Sequence, residues 1–261
     1  MLGTFVFRGA TITYSVKGKG RSILLIHGFL GAKEIWKELE SRLAKNFKVV
    51  SIDLPGHGQS DCIGYVHNME LLAECCKGLL NHLSIRKAVI IGHSLGGYVS
   101  LAFGEKFPDS VLGLMLVNST AKGDSEDRKK SRNQLIKLVK KDRLKLLATL
   151  VPTFFSIKNR KTTRQVKRYL NMAKNCSEQA IIATAEGMKI RKEREIVLKF
   201  APYPYHYIIG VKDSILDFNQ LIKETKIGEH GSYSLLDDAS HMSLIESKEE
   251  VFRAIKFFSK R

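Results

Sequence analysis

The stretch VIIGHSLGGYVSLAFG (89–104) runs from an apolar, strand-like segment into a helix-like one. Ser94 stands at the junction, with Gly92 before it and Gly96 and Gly97 after it. A GxSxG turn between a strand and a helix holds its serine in a strained backbone conformation, which bulky neighbours would obstruct. The glycines serve either a tight strand-to-helix turn or a nucleophilic serine. Because a strand precedes Ser94 and a helix follows it, we favour the nucleophile.

Strand and helix patterns alternate on both sides of this stretch. A hairpin is predicted over 5–16, and further strands are predicted within 22–28, 47–58, 88–92, 111–119, 203–213 and 232–238. Such alternation is typical of a mainly parallel sheet, here of eight strands, with helices on both faces. Functional groups gather at the carboxyl ends of parallel strands, which is where Ser94 stands. The N-terminus of the following helix would direct its N–H groups at a developing oxyanion.

The alternation stops after Asn118, and residues 122–200 carry only helical patterns. We therefore predict one α/β core formed by residues 1–120 and 201–261. A helical cap, or lid, over residues 121–200 is predicted to be inserted after the sixth strand.

The composition is that of a globular protein, with 44% hydrophobic and 8% aromatic residues in a chain of 261. No apolar run approaches the roughly 20 residues that span a bilayer, and the first residues alternate like a strand instead of a signal peptide. The cysteines form no CxxC pair, so we expect free thiols and a soluble, cytoplasmic protein. They are Cys62, Cys75, Cys76 and Cys176.

The net charge of +17 is concentrated in one segment. Residues 121–200 hold 22 Lys and Arg against 8 Asp and Glu, a net charge of +14. Solvated lysines on amphipathic helices explain this excess most simply. The alternative is a cap that attracts an anionic substrate. The basic residues are not interleaved with aromatic ones and no nucleic-acid-binding module is recognisable, so we expect no nucleic-acid partner.

Five motifs stand in the order and spacing seen in the α/β-hydrolase family. They are HGFLGAKEIW (27–36), SIDLPGHGQSD (51–61), GHSLGG (92–97), GVKD (210–213) and DDASHMSLIESKEEV (237–251). The chain resembles the esterase and C–C-hydrolase-like members that carry a helical cap. This resemblance implies a serine hydrolase acting on a small carboxylic ester or related acyl compound. Haloalkane dehalogenases and epoxide hydrolases are similar but place an aspartate where this chain has Ser94.

The resemblance implies a histidine that takes the proton of Ser94, since a serine hydroxyl is a poor nucleophile without a base. His241 lies between the last strand and the last helix, where the family places this base. The remaining histidines are interpreted as structural or peripheral. They are His27, His57, His67, His82, His93, His206 and His230.

The third member of the triad holds the imidazole in one tautomer. The family places this acid after either of two strands. After LMLVN the matching position holds Asn118 or Ser119, whereas after YHYIIGVK it holds Asp213. Asp213 is therefore predicted to be the acid, with Asp217 as its nearest competitor. The two remaining candidates, Asp237 and Asp238, precede His241 too closely.

The oxyanion hole needs two backbone amides. Leu95 follows the nucleophile, and by resemblance Phe29 supplies the second amide. Otherwise these residues are simply a helix start and a core aromatic. Four residues line the pocket or belong to the core: Tyr98, Phe154, Phe155 and Met188.

No cofactor and no metal are implied. The sequence contains no His, Cys and Glu cluster with zinc spacing, no phosphate-binding GxxxxGK[ST] loop and no dinucleotide fingerprint.

The same triad serves other reactions within this fold. The HGF and DLPGHG motifs also resemble menaquinone-pathway synthases, which eliminate pyruvate, and C–C bond hydrolases. A basic cap would suit the carboxylate-rich substrate of the former. A third alternative is a binding protein, like the plant hormone receptors that keep the triad and use the pocket for sensing. Fold resemblance alone does not separate these functions.

Overall fold

A computed structural model describes residues 1–159 and 163–260 of the chain. Its centre is a sheet of eight strands in the order β1-β2-β4-β3-β5-β6-β7-β8. The β1–β2 and β2–β4 pairs are antiparallel, and all the other pairs are parallel. The strands are β1 (Leu2–Phe7), β2 (Ala10–Lys17), β3 (Ser22–Ile26), β4 (Lys48–Ile52), β5 (Ala88–His93), β6 (Val111–Val117), β7 (Tyr205–Gly210) and β8 (Gly231–Leu236).

Helices connect the strands and cover the sheet. They are α1 (Lys37–Leu43), α2 (Met69–His82), α3 (Leu95–Lys106), α4 (Glu126–Leu150), α5 (Arg164–Asn175), α6 (Glu178–Lys189), α7 (Glu195–Phe200), α8 (Phe218–Glu224), α9 (Ser243–Glu246) and α10 (Lys248–Phe258). Of the helices in the described ranges, none is both long enough and apolar enough to cross a membrane.

The most deeply buried strand is β5, in which every residue is buried. Its neighbours β3 and β6 are apolar and almost entirely buried, as expected for parallel strands covered on both faces. Helix α3 follows β5 directly and packs against β5 and β6, while α2 packs on α3. This arrangement puts the start of α3 at the carboxyl edge of the sheet.

Between β6 and β7 the described residues form only helices and short turns. We call residues 121–200 the helical segment; its residues 160–162 lie outside the described ranges. Helix α4 is divided by a non-helical backbone conformation at Asp142, and a short 3₁₀ turn at Val151–Phe154 contains Pro152.

The predicted mainly parallel sheet of eight strands is confirmed. The strands predicted within 111–119, 203–213 and 232–238 end before the last residue of each range, at Val117, Gly210 and Leu236. Asp213 consequently lies on a loop, beyond the last paired residue of β7.

Candidate active site

Ser94 occupies the turn between β5 and α3. Its backbone has φ 51° and ψ −114°, in the left-handed half of φ that non-glycine residues rarely adopt. The Ser94 N–H donates to the carbonyl of Val117 at 3.0 Å, and the Ser119 hydroxyl donates to the Ser94 carbonyl at 2.7 Å. The end of β6 thus holds both backbone polar groups of this strained residue.

The glycines around Ser94 leave no room for side chains. A Cβ atom on Gly92 would collide with the backbone of Gly96, and one on Gly96 would collide with the Ile26 carbonyl. A Cβ atom on Gly97 would collide with the side chain of Ser119. These contacts let the first turn of α3 lie directly against the ends of β3, β5 and β6.

His241 and Asp213 lie beside the serine. His241 Nε2 is 2.9 Å from Ser94 Oγ, and His241 Nδ1 is 2.8 Å from Asp213 Oδ2. Asp213 only accepts hydrogen bonds when ionised, so Nδ1 carries the proton and Nε2 is free to accept the serine proton. The side chains of His241 and Asp213 are 6% and 3% exposed, which shields both interactions from water.

Further donors surround Asp213. The amides of Ile215 and Leu216 donate to Oδ1, and the Asn118 side-chain amide donates to Oδ2 at 3.0 Å. Burial alone raises the pKa of this carboxyl, but its electrostatic interaction and hydrogen bond with His241, together with the hydrogen bonds above, outweigh burial. The pKa of Asp213 therefore lies below its usual range, and the carboxylate is charged at neutral pH.

Asn118 also belongs to the candidate site, although its place in the sequence indicates only that no carboxylate follows β6. Its backbone has φ 45°, and its side chain also donates to the Ser240 carbonyl and accepts from the Ser243 hydroxyl. It therefore joins the loop of the acid to the loop of the histidine. The signal was present, since the residue follows β6 at one of the two positions where the family places its acid.

Glu246 is a second residue that the sequence analysis missed. Its carboxylate accepts from the Ser240 amide and hydroxyl, next to His241, and from Ser156 and Asn159 of the helical segment. Burial raises the pKa of Glu246, yet the hydrogen bonds outweigh burial and lower it overall. The histidine loop is thereby fastened to the helical segment.

The two amides predicted to form the oxyanion hole lie at the ends of β3 and β5. Within the described ranges, the N–H groups of Phe29 and Leu95 have no hydrogen-bond partner. Leu95 is the first residue of α3, where no intrahelical acceptor is available. The Phe29 carbonyl accepts a hydrogen bond from the buried Tyr169 hydroxyl at 2.7 Å. Tyr169 belongs to the helical segment, so this bond links that segment to the Phe29 peptide.

The other acid candidates lie outside this cluster. Asp217 caps α8 by accepting from the Gln220 amide, and Asp238 is paired with Lys212 on the surface. Asp237 is likewise exposed.

Three further histidines are buried near the candidate site. His93 Nε2 donates to the His241 carbonyl at 2.9 Å. His27 Nε2 accepts from the Leu54 amide, and His57 Nδ1 donates to the Pro55 carbonyl. The rings of His93 and His27 each join two backbone segments, as expected for structural histidines, whereas the His57 ring bonds within its own loop.

A family model for the α/β hydrolase fold matches residues 21–248. The chain belongs to the α/β-hydrolase family. A Bacillus subtilis protein described as the AB hydrolase superfamily protein YisY is 28% identical over 255 residues, covering 93% of this chain and 92% of its own. The dihydrolipoyllysine-residue acetyltransferase component of an acetoin cleaving system from Pseudomonas putida is 29% identical over 250 residues. The match covers 93% of this chain, but this chain spans only 64% of that protein's length.

Solved structures agree with this membership. An esterase from Thermogutta terrifontis, determined with malate bound, superimposes with a TM-score of 0.89 at 28% identity, over 97% of this chain and 94% of that one. The enol-lactonase from Burkholderia xenovorans LB400 has a TM-score of 0.92 at 20% identity, over 99% and 100% of the two chains, and shares the fold. Family membership and the esterase support a hydrolase.

A small cavity of about 60 Å³, partly open to solvent, adjoins Ser94 and His241 in this α/β hydrolase. Of the four residues considered for the pocket, Tyr98, Phe154 and Met188 line it. Phe155 instead packs against the ring of Tyr169 and borders a different cavity.

Metal ions and disulfide bonds each require particular side chains to lie close together. The described part of the chain contains no group of three or more His, Cys, Asp or Glu side chains that could hold a metal ion. The four cysteines are free thiols.

We expect Gly92→Ala to destabilise the protein by at least about 3 kcal/mol, because a methyl group there displaces the first turn of α3. Gly78→Ala in α2 is the matched control. Its methyl group would meet Phe5 and Phe7 at an ordinary 3.4 Å, so better helix propensity should leave stability equal or slightly higher. Urea unfolding of both variants measures the difference, and equal stabilities would contradict the packing argument.

The buried histidines predict a loss of stability in mild acid. Burial lowers the pKa of His57 to about 3, with the neighbouring His27 adding to the shift. Below pH 6.5, His57 is protonated in the unfolded chain but stays neutral in the folded protein. The free energy of unfolding therefore falls as the pH falls from 6.5 toward the folded pKa of about 3. At pH 5 this one residue accounts for about 2 kcal/mol.

Replacing His57 by Gln should reduce the loss of stability between pH 7 and pH 5 by about 2 kcal/mol. Urea unfolding at the two pH values measures this difference. His230→Gln, at an exposed position, is the control and should leave the loss unchanged. The explanation is wrong if the two variants lose equal stability on acidification.

Proposed function

We propose that the protein is a serine hydrolase that cleaves a carboxylic ester or a related small acyl compound through a covalent acyl-enzyme. The observation that carries the proposal is the continuous hydrogen-bond chain from Ser94 through His241 to Asp213. Its chain order of Ser, Asp and His and the elbow at Ser94 match the arrangement that α/β hydrolases use.

In the proposed acylation step, Ser94 Oγ attacks the carbonyl carbon of the ester while its proton passes to His241 Nε2. Asp213 accepts from His241 Nδ1 and stabilises the imidazolium that forms. The imidazolium then gives its proton to the leaving alkoxide oxygen, so that an alcohol departs and the acyl group stays on Ser94.

In the deacylation step, His241 takes a proton from a water molecule, and the resulting hydroxide attacks the acyl carbon. Ser94 leaves and recovers the proton from His241, releasing the carboxylic acid. The charge on the carbonyl oxygen in both tetrahedral intermediates would be met by the amides of Phe29 and Leu95. Those amides lack protein partners in the described chain, as an oxyanion hole requires.

We further propose that residues 1–120 and 201–261 form the catalytic core and that the helical segment acts as its cap. Three polar contacts support this division of roles, because each joins the segment to the candidate site. Tyr169 holds the Phe29 carbonyl, Arg128 donates to the Ile215 carbonyl, and Ser156 donates to Glu246. A cap fastened in this way would shelter the site from bulk solvent and shape the pocket.

The test is hydrolysis of p-nitrophenyl esters from acetyl to octanoyl. Ser94→Ala and His241→Ala should each lower kcat by about three or more orders of magnitude, since either change removes the nucleophile or its base. Ser41→Ala and His230→Ala, at exposed positions, are the controls and should keep wild-type rates. The chain length that gives the highest kcat/KM measures the depth of the pocket.

The acid assignment has its own pair of variants. Asp213→Asn should lower kcat by roughly four orders of magnitude, while Asp217→Asn should keep it, because Asp217 caps α8 away from the cluster. Wild-type rates in Ser94→Ala, His241→Ala or Asp213→Asn would reject the corresponding role. Wild-type protein that leaves every ester intact would reject ester hydrolysis and turn attention to pyruvate elimination, C–C bond hydrolysis or ligand binding.

A further inference from the structure

Two arginines share the cavity with the proposed catalytic residues. Arg128 and Arg132 of α4 line the same cavity as Ser94 and His241. They are four residues apart, so one face of the helix presents both side chains. Both are only partly exposed, and the Arg132 side chain is 17% exposed. Guanidinium groups in so sheltered a position lack the full hydration that surface arginines have.

Most of the hydrogen-bonding capacity of these two groups is unused by the protein. Arg128 Nη2 donates to the Ile215 carbonyl, and Arg132 Nε donates to Asp124 Oδ2 at 3.1 Å. A guanidinium carries five N–H donors. In the described chain, the remaining side-chain donors of Arg128 and Arg132 have no acceptor.

The charges on this wall do not balance. The buried carboxylate of Asp124 is shared by Arg132 and Arg191, while Arg128 has no carboxylate partner among the described residues. Arg191 lies over the ring of Tyr98, 4.0 Å from its centroid, and does not line the cavity. Arg128 and Arg132 thus bring two positive charges to the cavity wall, and at least one of them has no carboxylate partner in the described chain. Such charges are costly to shelter from water unless an anion accompanies them.

We infer that the substrate carries a second, non-reacting carboxylate, which Arg128 and Arg132 bind while the ester carbonyl lies against Ser94. This inference rests on the proposed function and specifies its substrate class. The planar, forked donors of arginine match the two oxygens of a carboxylate. The contact is local: basic residues farther along α4, such as Lys137 and Lys140, are exposed and do not line the cavity.

Matched pairs of esters test the inference, with a carboxylate in one member replaced by a carboxamide of the same shape. One pair has the group in the acyl half, as the mono-4-nitrophenyl esters of adipic acid and of its monoamide. The other pair has it in the alcohol half, as 3-acetoxybenzoate and 3-acetoxybenzamide. The wild type should favour the carboxylate member of at least one pair by roughly tenfold to a hundredfold in kcat/KM, the range expected for hydrogen bonds to a charged group.

The variant Arg128→Gln/Arg132→Gln should abolish this preference, so that the carboxylate and carboxamide members of each pair have equal kcat/KM. Lys137→Gln/Lys140→Gln removes the same charge from the same helix and should retain the preference. Arg128 also anchors α4 to Ile215, so the single variant Arg132→Gln serves if the double variant unfolds. It should lower the preference at least about threefold.

Two results would overturn the inference. One is a wild type that turns over the carboxamide esters through Ser94 and shows no carboxylate preference in either pair. The other is an equal loss of preference in the lysine and arginine variants, which would indicate long-range attraction without a binding site.

A failure of the proposed function gives a different pattern, in which no ester of either pair is hydrolysed by the wild type. Calorimetric titration with adipate then decides the inference separately. Binding that disappears in Arg128→Gln/Arg132→Gln and survives in Lys137→Gln/Lys140→Gln supports the site, and binding unchanged in both variants rejects it.

Discussion

The candidate site depends on the absence of side chains at Gly92 and Gly96. With hydrogen alone at these positions, the first turn of α3 lies against the carboxyl ends of β3 and β5. The chain can then reverse direction within one residue, and Ser94 takes the strained conformation at φ 51°. A strained residue persists only where its surroundings over-determine it. Here the buried strand β5 and the hydrogen bonds from the end of β6 supply that constraint.

The other residues of the candidate site follow the ends of the neighbouring strands. Asn118 follows β6, Asp213 follows β7, and His241 follows β8, so three adjacent strands deliver three side chains to one edge. Asn118 joins the other two loops, because it donates to both Asp213 and the Ser240 carbonyl. Asp213 and the backbone next to His241 are therefore both held by Asn118, so the imidazole would need little reorganisation to accept a proton in the proposed mechanism.

The core was predictable because its signals are local. Buried parallel strands appear as apolar runs, and the GxSxG turn needs its small residues within the turn itself. Family resemblance then supplied His241 and Asp213, which no local pattern would have paired across 28 residues. Glu246 and Tyr169 escaped prediction for a different reason. Their partners are backbone groups of loops distant in sequence, and nothing in a glutamate or tyrosine on a helix indicates which loop it will reach.

The basic helical segment shows why a charge count is a poor guide to function. Twenty-two basic residues lie between positions 121 and 200, and most of those with describable surroundings face solvent, where salt screens them. Arg128 and Arg132 differ from the other basic residues of α4 in their position: the first turns of α4 line the cavity and the later turns do not. In a sheltered cavity the same unit charge interacts far more strongly than on an exposed surface, so two arginines can outweigh twenty others in selecting a ligand. The two arginines lie at the cavity because the loop after β6 places the first turns of α4 there. The residues that follow β5, β7 and β8 lie at the same cavity.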